Sequence, residues 1–220
     1  MEFELPLFPL NTVLFPGMPL HLHIFEERYK QMIRTCLEKS RPFGVVLIEK
    51  GAEALGPPAT PHEIGCTAQI IQVEPLEQGR MNIVAIGQER FQVRSLKHDK
   101  PYLVGNVALY PMEGENATTL ARAGRRLRPW VERYLHMLAD AGLLEFETEQ
   151  LPGDALRLGY LGAALLQVPT EQKQSLLATE QAAAFLSEMS SLYRREVALL
   201  EAMLALGVQD EANTAPFSLN

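Results

Sequence analysis

His21 and His23 stand two residues apart in the alternating run Leu20-His21-Leu22-His23-Ile24. On a strand, residues i and i+2 share a face, so the two imidazoles have a spacing that suits metal ligation. No third ligand completes the set, and the pair reads as solvent-facing polar residues of a strand. Lys173 and Ser175 supply a lysine and a hydroxyl, but on a helix positions i and i+2 point apart. Cys36 could serve as a thiol nucleophile with a distant histidine; its place on an apolar helical stripe makes it a core thiol instead. The remaining cluster is basic. Arg122, Arg125, Arg126, Arg128 and Arg133 surround Trp130 and Tyr134 with Glu132 as the acidic residue among them. Arginines interleaved with aromatics are a nucleic-acid pattern, and equally the solvated face of a helix whose guanidinium stems cover apolar surface.

The motifs that carry phosphate, hydride or acyl chemistry are absent. The sequence has no G-x-x-x-x-G-K-[ST], no G-x-G-x-x-G after a strand and no G-x-S-x-G elbow. It has no H-E-x-x-H and no C-x-x-C, so no metal site of recognisable spacing. Neither a catalytic residue nor a cofactor is expected.

The elements that would position any site fall into two patterns. Up to Glu115 the period is mostly two. Phe3, Leu5 and Leu7 alternate with Glu2, Glu4 and Pro6, which predicts an edge strand. Phe15-Pro16-Gly17-Met18-Pro19 is a turn, followed by Leu20, Leu22 and Ile24 in alternation. Further strands are predicted over 43–48, 66–73, 81–86, 90–96 and 103–110, all rich in Val and Ile. Turn signals lie between them at Gly56-Pro57-Pro58, Glu77-Gln78-Gly79 and Lys97 to Pro101, and Gly87 suits a tight hairpin or a bulge. One helix interrupts: Phe25, Tyr29, Met32, Ile33, Cys36 and Leu37 form an apolar stripe of period 3.6 that ends before Pro42. After Asn116 the period changes, and helices are predicted over 118–141, 152–167 and 170–206. Thr170 is a plausible cap, and Leu186, Met189, Tyr193, Val197, Leu200 and Leu204 make the clearest stripe. The expected fold is α+β: a small bent sheet or partly closed barrel with one helix over 1–115, a helical bundle over 116–207, and a flexible tail over 208–220.

Composition narrows the function. The chain has 220 residues, is 47% hydrophobic and carries a net charge of −7, with a mean hydropathy of −0.04 and a pI near 5.3. It has enough apolar material for a core, and disorder is excluded as the overall state. Both halves are acidic, with 11 basic against 14 acidic groups in residues 1–115 and 9 against 13 in residues 116–220. Non-specific phosphate binding needs the opposite balance. Leu5 to Phe25 holds no charged side chain and is long enough to span a bilayer, which takes about 20 residues. Pro6, Pro9, Pro16 and Pro19 would break the helix that lipid requires, and Glu2 and Glu4 stand where a signal peptide is positive. No membrane association is expected, and the two cysteines, Cys36 and Cys66, read as free buried thiols of a reducing, cytoplasmic compartment.

Several segments, taken together and in order, resemble the Lon protease N-terminal domain. They are Leu5-Pro6-Leu7-Phe8-Pro9-Leu10, Val13-Leu14-Phe15-Pro16-Gly17-Met18-Pro19-Leu20 and Ile24-Phe25-Glu26-Glu27-Arg28-Tyr29. Phe43 to Ile48, Ile64-Gly65-Cys66-Thr67-Ala68, Gly79-Arg80-Met81-Asn82-Ile83 with Gly87-Gln88-Glu89-Arg90-Phe91, and Lys173-Gln174-Ser175-Leu176-Leu177 continue the match over about residues 3–205. Glu27 departs from the family's usual proline, and an acidic residue in a first helical turn is physically sound. The resemblance implies a PUA-like bent β barrel joined to a helical bundle. It also implies a stand-alone substrate-recognition domain without the Lon ATPase and peptidase modules.

The expected function is therefore a non-catalytic module that binds unfolded or client protein segments in protein quality control, with a proteolytic machine as a further partner. Phe15, Pro16, Met18 and Phe25 are the candidate apolar groove, and Arg28, Tyr29 and Arg90 its polar rim. The alternative is an RNA-binding PUA-like protein using the Arg122–Arg133 cluster, against which the net charge of −7 stands. Neither the client nor the oligomeric state is legible at this level.

Overall fold

The structure is a computed structural model and describes residues 2–51, 60–114, 116–142 and 151–213, the last of these with side chains up to residue 204. The expected turn at Gly56-Pro57-Pro58 lies outside the described residues. Six strands form one mixed sheet: β1 (Glu2–Leu10), β2 (Pro19–Ile24), β3 (Phe43–Lys50), β4 (Thr60–Pro75), β5 (Met81–Lys97) and β6 (Val104–Leu109). The helices are α1 (Glu27–Glu38), α2 (Ala117–Asp140), α3 (Ala155–Leu165), α4 (Thr170–Ala178) and α5 (Ala182–Asn213).

The strand order is β2-β5-β4-β3-β1-β6, and β6 also pairs with β5. Five strands thus close a ring, and β2 hangs on β5 outside it. β1 is an interior strand, not the expected edge. Its first half pairs antiparallel with β6, Glu2 opposite Ala108 to Pro6 opposite Val104. Its second half pairs parallel with β3, Leu7 opposite Gly44 to Leu10 opposite Leu47. Each half is laddered along one flank, which is how Pro6 and Pro9 fit inside a sheet.

β5 is long because the predicted strands 81–86 and 90–96 are one strand. Its register against β4 shifts between Ala68–Gly87 and Cys66–Arg90, a bulge rather than a hairpin. The Thr67 hydroxyl braces that bulge, accepting from the Glu89 N–H at 3.0 Å and donating to the Glu89 carbonyl at 3.3 Å. The bulge is also where β5 changes partner, from β2 at Met81–Ile86 to β6 at Phe91–Lys97.

The turn before β2 docks on the same place. Met18 N–H donates to the Phe15 carbonyl at 3.0 Å, and Gly17 sits at φ 81°. Proline at the second position and a positive φ at the third are the marks of a type II turn. Gly17 N–H then donates to the Gly87 carbonyl at 2.8 Å and Gly87 N–H to the Met18 carbonyl at 2.9 Å. A Cβ at Gly87 would lie 2.2 Å from the Phe15 carbonyl oxygen, so the close approach requires glycine.

The chain forms two compact units. The first is Met1–Glu115 with Tyr160–Ala182, the second Asn116–Gly159 with Ala183–Asn220. The segment Tyr160–Ala182, expected in the bundle, groups with the strands. In the first unit the main core joins Phe8, Leu14, Leu20, Ile24, Tyr29, Met32, Ile33, Phe43 and Cys66. A second cluster inside the sheet holds Leu5, Leu7, Val46, Phe91 and Val107.

In the second unit Asn116 caps α2, its side chain accepting from Thr118 N–H at 2.8 Å. Asp154 caps α3 by accepting from Arg157 N–H at 2.9 Å, which starts that helix later than predicted. Leu127, Val131, Tyr134 and Leu135 of α2 are buried, as are Phe185, Leu186, Met189, Tyr193 and Val197 of α5. Tyr134 meets Tyr193 edge-on at 5.2 Å. The predicted stripe on α5 is only partly a core stripe, since Leu204 is exposed.

Three further helix boundaries differ from expectation. Pro169, not Thr170, is the cap position of α4. The predicted helix 170–206 is two helices, because Thr179 turns extended with ψ 127°. The expected tail from 208 is helical as far as Asn213, and residues 214–220 lie outside the described ones.

Candidate functional site

Leu20, Leu22 and Ile24 of β2 face the core, which turns His21 and His23 outward. β2 pairs with β5 from Pro19 opposite Ile86 to Ile24 opposite Met81. Among the described residues its other flank has no strand partner, so β2 is the open edge of the sheet. His23 Nδ1 donates to Asn82 Oδ1 at 2.8 Å, and Asn82 Nδ2 donates to Glu74 Oε2 at 2.9 Å, a row that ties β2 to β5 and β4. The chain then leaves the strand through Phe25 and Glu26. Glu26 stays extended, and its carbonyl accepts from Tyr29 N–H at 3.1 Å and Lys30 N–H at 2.9 Å to open α1.

This junction is concave. A cleft of about 340 Å³ is lined by Phe8 and Leu10 of β1, His21–Ile24 of β2, and Phe25, Glu26 and Tyr29. Phe25 is 54% exposed although it is large and apolar, and it stacks beside His23 at 5.9 Å. Tyr29 is fixed beneath it by stacking on Phe8 at 4.0 Å. Arg28 lies over the Tyr29 ring at 4.5 Å and donates from Nε to Glu26 Oε2 at 2.9 Å. Lys30 is buried at 6% exposure and donates to the Gln78 carbonyl at 2.9 Å and to Glu27 at 3.0 Å, which anchors α1. The arrangement offers an unpaired strand edge, an exposed aromatic and one guanidinium. These features suit binding, and no serine, threonine, cysteine or lysine lines the cleft.

The structure brings together Phe25, Arg28 and Tyr29 of the predicted set, although Tyr29 is a buried wall rather than a rim. Pro16 and Met18 are half-buried on the docked turn, with Met18 packed against the core. Two assignments are corrected. Phe15 is 0% exposed and is core, its ring 6.5 Å from that of Tyr160. Arg90 is 2% exposed and is an internal brace. Its Nε donates to the Tyr110 carbonyl at 3.1 Å, and its Nη1 to the Leu177 carbonyl at 2.5 Å and the Thr179 carbonyl at 2.6 Å. It thereby satisfies the free carbonyls at the end of α4. Sequence reasoning missed Phe8, Leu10 and Leu22 as lining residues: alternation marked Leu22 only as a strand residue, and Phe8 and Leu10 entered only through the family resemblance.

The groups with chemical potential are engaged elsewhere. Burial pushes the Cys36 thiol up to about 11 and the Cys66 thiol up to about 12, so neither is a thiolate near neutrality. Lys173 Nζ donates to the Ala164 carbonyl at 2.9 Å, and burial lowers its pKa. Ser175 donates to the Glu171 carbonyl one turn back at 3.0 Å, so the two do not form a pair. No group of three metal-ligating residues occurs among the described residues, and no helix there is long and apolar enough to cross a membrane. Of the aromatics in the arginine cluster, Tyr134 is buried and Trp130 is half-buried, with Arg194 over its ring at 5.3 Å.

The fold is α+β, with one open strand edge among the described residues. Comparison with known proteins supplies its family. Residues 4–195 match the family described as the ATP-dependent protease La (LON) substrate-binding domain, and the chain belongs to that family. It is 25% identical over 199 residues to Lon protease 2 of Myxococcus xanthus, covering 90% of this chain and 24% of that protein. It is 35% identical over 109 residues to a LON peptidase N-terminal domain and RING finger protein of Schizosaccharomyces pombe, covering 44% of this chain and 22% of that protein. The crystal structure of a Lon N-terminal domain protein from Xanthomonas campestris aligns with a TM-score of 0.61 at 25% identity, over 86% of this chain and 98% of that one. The N-terminal domain of the Mycobacterium avium complex Lon protease shares the fold, with a TM-score of 0.64 at 18% identity over 87% and 98% of the two chains. The chain thus spans about a quarter of the length of the Lon proteases it matches.

Proposed function

We propose that this chain is a non-catalytic protein-recognition domain that takes extended, apolar segments of unfolded or client proteins along β2. The observation that carries this reading is the unpaired edge of β2 beside the exposed Phe25 and its cleft. An extended peptide can add to such an edge by main-chain hydrogen bonds, with one side chain seated in the cleft. Phe25 is the apolar anchor, Tyr29 the floor and Arg28 the rim; Pro16 and Met18 extend the apolar surface at the neighbouring turn. Membership of a substrate-binding family supports the role. On this reading the closed ring of strands is a PUA-like barrel, the setting is cytoplasmic protein quality control, and a proteolytic machine receives what is bound. RNA binding, the alternative, has Tyr134 buried, Trp130 half-buried under Arg194, and a net charge of −7 against it.

The test compares Phe25 with Phe15 in capture of a labelled, permanently unfolded protein. Phe25→Ala should change stability by less than about 1 kcal/mol, because it opens no cavity. Capture should weaken about fivefold or more, as expected for an aromatic anchor. Phe15→Ala should cost roughly 3–5 kcal/mol as a core truncation. Undiminished capture by Phe25→Asp would overturn the proposal.

A further inference from the structure

α2 carries a second surface, independent of the β2 edge. Arg122, Arg125 and Arg126 are exposed, at helical spacings that place their side chains on one face. Arg194 of α5 joins them, its guanidinium carbon 5.3 Å from the ring centre of Trp130, one turn beyond Arg126. None of these four is ion-paired among the described residues. Their neighbours are: Arg133 pairs with Glu201, and Arg128 pairs with Glu132 at 3.6 Å and donates to the Pro152 carbonyl. The sequence cluster of five arginines therefore divides into two that hold the second unit together and three that form no ion pair or hydrogen bond among the described residues.

Guanidiniums collected on one face repel one another, and no ion pair among the described residues offsets these four. We infer that this face, Arg122, Arg125, Arg126 and Arg194, is a docking surface for an acidic protein segment. Charge complementarity names the partner: the planar fork of arginine matches a carboxylate in two-point fashion. The helical spacing of the arginines fits carboxylates repeated about one helical turn apart. Single-stranded nucleic acid is the weaker fit, because Trp130 is half-buried with Arg194 over its ring and the chain's net charge is −7.

Trp130 is the chain's single tryptophan, so its emission reports on the surface directly. The experiment titrates the intact chain with a synthetic helical peptide carrying glutamates at i and i+4. Its glutamine counterpart and a single-stranded RNA oligonucleotide are run beside it, with Trp130 emission and peptide anisotropy as readouts. The glutamate peptide is expected to bind and to shift Trp130 emission, and its affinity should fall as salt shortens the Debye length. Arg122→Glu/Arg126→Glu should weaken it about tenfold or more, since two attractions become repulsions. Arg157→Glu, at the exposed position of α3, should leave it unchanged, with both variants matching the parent in circular dichroism. Equal binding of the glutamine peptide, tighter binding of RNA, or indifference to the double reversal would each overturn the inference.

Discussion

Arg90 offers the sharpest test of the structure, because two readings of it give opposite answers. As a solvated rim residue, lysine would replace it at little cost. As the internal brace described above, it donates to three carbonyls on two segments: Tyr110 after β6, and Leu177 and Thr179 at the end of α4. Consider Arg90→Met. Hydrogen bonds from a charged donor are each worth about 1.5–3 kcal/mol net, so three would naively sum to roughly 5–9 kcal/mol. Two effects reduce this. The guanidinium is buried without a carboxylate, and that burial already pushes its pKa down; methionine relieves a desolvation penalty of several kcal/mol. The bonds to Tyr110 and Thr179 are also only partly buried, so water can take their place, while the bond to Leu177 is buried. One orphaned carbonyl at about 1–3 kcal/mol plus two partial losses leaves a net cost of roughly 2–4 kcal/mol. Arg90→Lys keeps the buried charge yet cannot span three acceptors with one ammonium, so it should cost as much as methionine or more. Native-state hydrogen exchange is the assay, since it reads local opening. Amides of the last turn of α4 should lose protection before those of β4. A lysine variant with parent stability and unchanged exchange in α4 would refute the brace.

Gly87→Ala should destabilise the first unit by about 1–3 kcal/mol or more, because its Cβ meets a backbone carbonyl that cannot rotate away; a denaturant midpoint within error of the parent would contradict this. Both thiols should resist Ellman's reagent at pH 8 in the native protein and react in urea, since Cys36 and Cys66 are buried. Their folded pKa values, about 11 and about 12, lie above the ordinary value of about 8.5. Below the ordinary value both states keep the proton and the contribution to stability is fully present. As pH rises through roughly 9 to 12 the unfolded chain releases it first. Stability should therefore decline across that window, and less so in a Cys36→Ala/Cys66→Ala variant measured against its own neutral-pH value.

Much of the fold was legible in local pattern. The alternation of Leu20, Leu22 and Ile24 and the Pro16-Gly17 turn specify their elements through nearest neighbours; the helical stripe expected from Phe25 to Leu37 is a core stripe only from Tyr29 to Cys36, since Phe25 precedes α1 and Leu37 is exposed. Pairing was less so. Phe3, Leu5 and Leu7 with two prolines read as an edge strand, since nothing local records that β1 is laddered by β6 over one half and by β3 over the other. The break between α4 and α5 has the same origin. Thr179 is no strong helix breaker, and it is Arg90, nearly ninety residues away, that takes up the carbonyls there, while Glu113 N–H bonds the Glu180 carbonyl at 2.9 Å.

The candidate site shows the same division between local and long-range information. Phe15 and Phe25 both adjoin a strand, and although Glu26, Glu27 and Arg28 follow Phe25 while no charged residue lies within three positions of Phe15, that local signal does not say which ring docks into the core. What separates them is Gly87. That residue admits the Phe15 carbonyl against the bend of β5 and so draws the turn inward, which puts the Phe15 side chain in the core. Phe25 follows the last β2 residue paired with β5, where the chain must leave the sheet to begin α1, and no element covers it. An exposed aromatic next to an unpaired strand edge is costly to keep in water and invites unwanted pairing. Its presence where the fold could have buried it is the physical reason to read that edge as a binding surface.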